Sequence, residues 1–168
     1  MKATWIGMIL AVSLAAPALS QTTGKQPVLI SIKRMSLDTA LKAARGAIEA
    51  CRKEGVQVAV TVVDRGGQAQ VVLRDVLAPD LTLKVSQAKA YAAMSFVAPT
   101  SQLESRFTQP FGPPSVGGAV ISAGGIPVQA GGELVGAIGV AGAPSGQIDE
   151  RCARAGFEAI HEELEFGR

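Results

Sequence analysis

The spacing of apolar residues predicts a helix near the start of the folded part of the chain. The helix is expected to begin after Ser36, a good capping residue, and to end at Gly55. Apolar residues recur within it at helical spacing, so the helix should bury one stripe. The stripe consists of Leu37, Ala40, Leu41, Ala44, Ile48 and Cys51.

The middle of the chain is predicted to contain a hairpin followed by a second helix. Residues 56–63 are rich in valine, and together with residues 68–73 they flank Asp64-Arg65-Gly66-Gly67, a pattern typical of two strands joined by a tight turn. Asp80 can cap a helix over 81–96, and a short further helical turn is expected to reach about Arg106.

Proline and glycine residues mark the predicted loop and turns in the last third of the chain. Residues 107–118 read as an irregular surface loop. Three short strands are predicted after it, over 118–123, 126–130 and 133–141, and a last helix over 147–164. Because the hairpin loops are too short for parallel crossovers, this order predicts an α+β fold with a mainly antiparallel sheet.

The first twenty residues have the layout of a secretory signal peptide. Lys2 supplies a positive start, residues 6–16 are uncharged and mostly apolar, and Ala18-Leu19-Ser20 provides small residues before a cleavage point. We therefore expect a signal peptide over 1–20, a flexible mature terminus over 21–31 and one domain over 32–168. The protein is expected in the periplasm or outside the cell. The alternative is that residues 1–20 are a core helix or an anchor.

Composition narrows the class of protein. The chain has 168 residues, 48% of them hydrophobic, which excludes wholesale disorder. Its net charge of +2 argues against nucleic acid as a partner. No segment of the mature chain is long and apolar enough to suggest a membrane span.

Common catalytic and metal-binding patterns are missing from the sequence. There is no phosphate-binding G-x-x-x-x-G-K-[ST] pattern and no dinucleotide-binding glycine motif. The only histidine is His161, and the cysteines have no metal-ligand spacing, so no metal site is predicted. In an exported protein, two cysteines are candidates for a disulfide, and two buried free thiols are the alternative.

Glycines inside predicted strands leave two interpretations open. One is close packing of a helix on the sheet together with tight bends, and the other is a ligand or subunit surface made of exposed backbone. The glycines concerned are Gly117, Gly118, Gly124, Gly125, Gly136, Gly139 and Gly142.

Three sequence blocks resemble the GlcG/HbpS-like family, also called the haem-degrading domain family. They are VAVTVVDRGGQAQVVLRD, QAKAYAA and GGIPVQAGGELVGAIGVAGA, the last followed by a Gln-x-Asp-Glu helix start, and the resemblance covers about residues 32–164. The chain departs from the family at residues 74–78, where R-M-D-G-A is common and this sequence reads RDVLA. It also has Ala141-Gly142 in place of the usual serine-glycine.

The resemblance implies a profilin-like fold with a five-stranded sheet. The first and last helices are expected on one face of the sheet and the middle helix on the other. Family members bind or degrade haem, accompany other enzymes, or resemble enzymes of small unsaturated acids, and they tend to form even-numbered homo-oligomers. We therefore expect a protein that binds haem or another carboxylate-bearing molecule. The alternatives are an enzyme acting on small unsaturated or keto acids, with Lys89 as its base, and an accessory structural oligomer.

Motif positions of the family suggest site residues. Arg74 and Lys89 are expected to hold a carboxylate or haem propionate, with Tyr91 as a hydroxyl handle. The Gly124, Gly125 and Pro127 block is expected beside the ligand. The alternative is that Lys89 reaches solvent and Arg74 pairs with Asp75. If haem binds, its axial ligand should come from a short set of side chains. The set is His161, Cys51, Cys152, Tyr91, Met35 and Met94.

The profilin-like strand order also implies a Cys51–Cys152 disulfide. In that order the first and last strands are central neighbours, so the end of the first helix meets the start of the last one. Cys51 and Cys152 lie in these two turns. A small residue at Gly156 would let the helices approach closely.

Overall fold

The computed structural model describes residues 27–107 and 118–167 of the chain. Three parts of the predictions lie outside the described residues: the signal peptide, residues 21–26 of the mature terminus, and residues 108–117 of the predicted loop. The helices and strands belong to the unit Ile32–Arg168. They are α1 (Leu37–Lys53), β1 (Ala59–Asp64), β2 (Ala69–Arg74), α2 (Leu81–Phe96), α3 (Thr100–Phe107), β3 (Gly125–Ala130), β4 (Glu133–Ala141) and α4 (Gly146–Phe166).

The sheet of the described residues has four antiparallel strands in the order β2-β1-β4-β3. The first and last strands are central neighbours, as the resemblance implied, with Val60 opposite Val140. The fifth strand predicted over 118–123 is wrong. Gly118 adopts a φ of +89°, which does not suit an extended strand, and the N–H of Val120 donates to the carbonyl of Ala88 on α2.

The two faces of the sheet are covered by different helices. Strand residues such as Val60 and Ile138 point toward α1 and α4 and form the main apolar core with them. Val63 and Ala137 point the other way and pack with Ala90 of α2. The expected division, with the outer helices on one face and the middle helix on the other, is therefore confirmed.

Small residues let α1 and α4 lie unusually close together. A Cβ added at Gly156 would be 2.6 Å from the carbonyl oxygen of Ala43, and one added at Gly46 would be 2.9 Å from the Cβ of Ala159. At the same interface Cys51 and Cys152 form a disulfide with Cα atoms 5.5 Å apart, within the usual range. The predicted pairing is thus present, and both cysteines are buried.

Candidate functional site

An open cleft of about 610 Å³ runs along the outer side of α2. One wall is the turn between β1 and β2, and the other is the segment that begins at Gly118. The helix contributes side chains at successive turns, and together the walls combine apolar and polar groups. The lining residues are Gly67, Gln68, Lys84, Val85, Gln87, Ala88, Tyr91, Gly118, Ala119 and Val120.

The hairpin turn fits closely against α2 because Gly67 has no side chain. Its φ is +79°, a conformation that favours glycine, and an added Cβ would be 2.8 Å from both the Tyr91 ring and the Met94 methyl group. The Asp64 carboxylate holds the turn by accepting hydrogen bonds from the N–H groups of Gly66 and Gln68. The cleft wall is therefore a tightly specified turn.

Two side chains in the cleft are available to a ligand. Tyr91 is half-buried, and its hydroxyl has no hydrogen-bond partner among residues 27–107 and 118–167. Lys84 is exposed and forms no ion pair within the described part of the chain. A phenol oxygen can coordinate a metal ion, and an ammonium group can form an ion pair with a carboxylate. The cleft offers both groups to a ligand.

The other candidate axial ligands lie elsewhere. Cys51 and Cys152 are joined to each other. His161 is exposed on α4 against Phe157, on the sheet face opposite α2. Met35 is buried in the core under α1.

Met94 is half-buried next to the turn and packs against the small core under α2. Tyr91 is thus the member of the predicted set that lines the cleft.

Lys89 points to the inner side of α2, away from the cleft, and is paired. Its Nζ is 2.7 Å from the Asp149 carboxylate, and each side chain is only 4% exposed. The other Asp149 oxygen accepts a hydrogen bond from the N–H of Ala143 at 3.0 Å. Burial raises the pKa of Asp149, opposed by its hydrogen bond to Lys89. The ammonium group is therefore neutralised within the protein.

The predicted glycine block packs against this lysine. A Cβ at Gly124 would be 2.7 Å from the Lys89 Nζ, and one at Gly125 would be 2.4 Å from the Lys89 carbonyl oxygen. The Thr100 hydroxyl accepts a hydrogen bond from the N–H of Gly125. Pro127 follows on β3 at the edge of the sheet. These three residues lie along the inner side of α2 and are not among the cleft residues.

Arg74 is not brought together with Lys89. It ends β2 and donates to the carbonyl of Ala78 at 2.5 Å, beside a second groove of about 380 Å³ that residues of α1 line. Its neighbour Asp75 pairs with Arg52 through two hydrogen bonds of 2.6 and 2.8 Å. The predicted pair of cations for one ligand carboxylate is therefore absent from the described structure, because the two side chains lie in separate environments.

Sequence reasoning missed Lys84, Gln87 and Asp149. Lys84, Gln87, Ala88 and Tyr91 follow one another at helical spacing, a signal that would have placed the first two beside the tyrosine. Asp149 stood within the Gln-x-Asp-Glu motif, but nothing in the sequence indicated its buried partner. Within residues 27–107 and 118–167 we find no helix suited to crossing a membrane and no cluster of potential metal ligands.

Comparison with known proteins assigns the chain to a family. The model of the family described as "Haem degrading protein HbpS-like" matches residues 35–158. The crystal structure of HbpS is 42% identical, with a TM-score of 0.77, over 82% of this chain and 97% of that one. A double mutant of Streptomyces reticuli HbpS is also 42% identical, with a TM-score of 0.77, over 86% and 99%.

A more distant structure contains a ligand. The crystal structure of a PduOC:heme complex is 26% identical, with a TM-score of 0.71, over 76% of this chain and 96% of that one. Comparison with functionally curated proteins finds no match. The family match spans most of the domain and agrees with the fold, so the chain belongs to the HbpS-like family of haem-degrading proteins.

Proposed function

We propose that this protein is an exported haem-binding protein whose cleft along α2 holds the tetrapyrrole. The observation that carries the proposal is the presence of Tyr91 and Lys84, both without partners among the described residues, in one cleft. Membership of the HbpS-like family and the likeness to the PduOC:heme complex support the choice of ligand. The disulfide supports export, because such bonds persist in oxidising compartments.

The residues of the cleft fit haem in size and chemistry. Its volume of about 610 Å³ lies within the range common for small-molecule sites. Val85, Ala88 and Val120 offer apolar surface to a macrocycle, and Lys84 offers a cation to a propionate. Tyr91 supplies a phenol, a known type of haem-iron ligand. Bound haem would supply the redox chemistry of its iron, which the polypeptide lacks.

The position of Lys89 does not favour the alternative function, an enzyme that acts on small acids with this lysine as its base. A base must reach the proton it removes from the substrate. The Lys89 ammonium group is buried and bound to Asp149, so a substrate in the cleft along α2 would not meet it. Haem binding at the outer side of the helix requires no such access.

Titration of the mature chain with haemin tests the proposal. Once the predicted signal peptide is removed, the chain has one tyrosine and no tryptophan, so bound haem should dominate its absorbance spectrum. Tyr91→Phe should shift the haem Soret band and weaken binding by at least about tenfold, equivalent to ~1.4 kcal/mol. Lys84→Met should weaken binding about three- to tenfold, whereas Lys53→Met, at an exposed lysine of α1, should leave it unchanged.

Two results would contradict the proposal. One is a haemin spectrum that the wild-type protein does not change. The other is wild-type affinity and an unshifted band in both Tyr91→Phe and Lys84→Met, which would place haem outside this cleft. Circular dichroism of each variant establishes that a loss of binding does not reflect unfolding.

A further inference from the structure

A groove of about 380 Å³ lies between α1 and the end of β2. Leu73, which lines it, packs against the core under α1, so the groove is on the face of the sheet that carries this helix. The cleft along α2 is on the other face, and the two sites are therefore separate. Three of the residues that line the groove are arginines. The lining residues are Arg45, Ile48, Glu49, Arg52, Leu73, Arg74 and Asp75.

The turn that follows β2 orients two of these arginines. The Nε and Nη2 atoms of Arg52 donate to the Asp75 carboxylate, whose side chain is only 4% exposed. The Nη1 atom of Arg74 donates to the carbonyl of Ala78. The N–H of Ala78 donates to the carbonyl of Asp75, and the N–H of Asp75 donates to the carbonyl of Val58, just before β1. Both guanidinium groups are thus fixed to one turn, which is itself tied to the sheet.

Both arginines keep N–H donors for a ligand. Arg52 uses Nε and one hydrogen of Nη2, which leaves the edge of the guanidinium formed by Nη1 and Nη2. Arg74 uses only Nη1, which leaves the edge formed by Nε and Nη2. Within residues 27–107 and 118–167 no other hydrogen bond engages these two groups. An oriented guanidinium edge suits the bidentate binding of an oxyanion.

Arg45 adds a third cation to the groove. It lies two helical turns before Arg52 on α1, is exposed, and forms no ion pair within the described part of the chain. Glu49 lies between the two arginines at spacings that make helix side chains neighbours. With Asp75 counted as well, the lining residues carry three positive and two negative charges, so their net charge is +1. The groove therefore favours an anion, and Glu49 opposes it.

We propose that this groove binds the phosphate group of a small molecule between the free guanidinium edges of Arg52 and Arg74, with Arg45 as a third cation. Three arginines offer more N–H donors than the two oxygens of a carboxylate can accept, whereas a phosphate monoester presents three acceptor oxygens and up to two negative charges. Ile48 and Leu73 offer apolar surface to the rest of the ligand. The proposal does not depend on haem binding.

The phosphate can belong to a soluble ester or to a lipid headgroup, and the same turn provides a way to distinguish them. Val76 and Leu77 are 82% and 77% exposed on this turn. The turn is nevertheless held in place there, because the N–H of Leu77 donates to the side-chain oxygen of Gln57 at 2.7 Å. Two exposed aliphatic side chains next to arginines can enter a membrane surface while the arginines contact a headgroup. A soluble ester needs neither side chain.

Titration of the mature chain with inorganic phosphate at constant ionic strength tests the proposal. Binding should be saturable and should shift the NMR signal of the Arg74 Nε–H group. Arg74→Met and Arg45→Met should each weaken binding roughly three- to tenfold. Arg74→Lys should weaken it too, because an ammonium group lacks the planar fork. Glu49→Gln should strengthen binding, since it removes the opposing charge. Lys53→Met removes a charge from the same helix outside the groove, and should change the affinity by less than about twofold.

Vesicles and a soluble ester identify the source of the phosphate. For a lipid headgroup, the chain should bind vesicles of phosphatidic acid but not vesicles of phosphatidylcholine. The double variant Val76→Ser, Leu77→Ser should then lose vesicle binding and keep its affinity for inorganic phosphate. For a soluble ester, glycerol 3-phosphate should bind at least as tightly as inorganic phosphate, and neither kind of vesicle should bind.

Three results would overturn the proposal. The first is the absence of saturable binding of inorganic phosphate. The second is an equal loss of affinity in Arg74→Met and Lys53→Met, which would indicate diffuse attraction by charge. The third is tighter binding of succinate than of phosphate, which would make the groove a carboxylate site. Arg52 is kept in every variant because its removal would leave the buried Asp75 carboxylate unpaired, and circular dichroism establishes that each variant is folded.

Discussion

Replacing Gly139 with alanine tests why glycines occur in the strands. Gly139 lies in the middle of β4, directly under α2, and has an ordinary extended backbone conformation. A Cβ at this position would be 2.0 Å from the carbonyl oxygen of Ser86 and 2.5 Å from the backbone nitrogen of Ala90. Both atoms belong to the backbone of α2, so no side-chain rotation relieves the clash.

The distances set the size of the expected effect. Ordinary contacts begin near 3.4 Å, so helix and strand would have to separate by about 1.4 Å. Overpacking of a core typically lowers the free energy of unfolding by roughly 1–3 kcal/mol. For Gly139→Ala we expect a loss of about 3 kcal/mol, because backbone atoms must move. The hydrogen bond between Thr61 and Ser86, 2.8 Å long and buried under the same helix, would be stretched as well.

Urea unfolding of Gly139→Ala and of a control variant measures the effect. Gly55→Ala is the control, because an added Cβ there meets nothing within 4 Å while φ is +76°, so only backbone strain of about 1 kcal/mol is expected. Gly139→Ala should lose about 2 kcal/mol more than the control. Equal losses in the two variants would refute close packing as the reason for this glycine and would favour a ligand surface made of exposed backbone.

Three further predictions concern the covalent and charged contacts. Replacing Cys51 and Cys152 with alanine opens a link across 101 residues, and should lower the free energy of unfolding by about 2–5 kcal/mol in urea, against an oxidised wild type. Lys89→Met leaves the buried Asp149 carboxylate without its cationic partner and should lower the free energy of unfolding by about 3–5 kcal/mol at pH 7. The double variant Lys89→Met, Asp149→Leu should lose less stability than this single variant. The hydrogen bond from its arginine partner lowers the pKa of Asp75 below 3.8, so the stability it contributes is present above that pH and is lost as the pH falls through the lowered value. Asp75→Asn should therefore differ from wild type in its free energy of unfolding at pH 7, and the difference should shrink as the pH falls through the lowered pKa of Asp75. A difference independent of pH would contradict this account.

The apolar pattern predicted most of the fold because most helices and strands have one face that is buried in the core. Four members of the predicted stripe of α1 are buried, as their spacing indicated: Ala40, Ala44, Ile48 and Cys51. Leu41 is half-buried, and the prediction was wrong for Leu37, which is 61% exposed at the first turn of the helix. The strand predicted over 118–123 failed for a physical reason that local pattern does not contain. Val120 bonds the carbonyl of Ala88 across the fold, and this contact, not strand pairing, satisfies its backbone.

The site was harder to predict because α2 has no clear apolar stripe. Its buried side includes Ser86 and Lys89 as well as alanines, so polarity does not reveal which side faces the sheet. The sequence therefore predicts a ligand contact for Lys89, whereas in the structure its charge is neutralised by Asp149, sixty positions later. The partner of a buried charge is a matter of tertiary packing, and a single sequence does not display it.

The two sides of α2 connect the stability of the protein to its candidate site. The inner side is fixed by the strand glycines, represented by Gly139, and by the ion pair of Lys89 with Asp149. The outer side carries Lys84 and Tyr91 into the cleft. Because a helix moves as a rigid element, a shift that relieves a clash on the inner side moves both cleft residues together. Haem affinity should consequently fall in Gly139→Ala under conditions where the variant is still folded, although the substitution contacts no residue of the cleft.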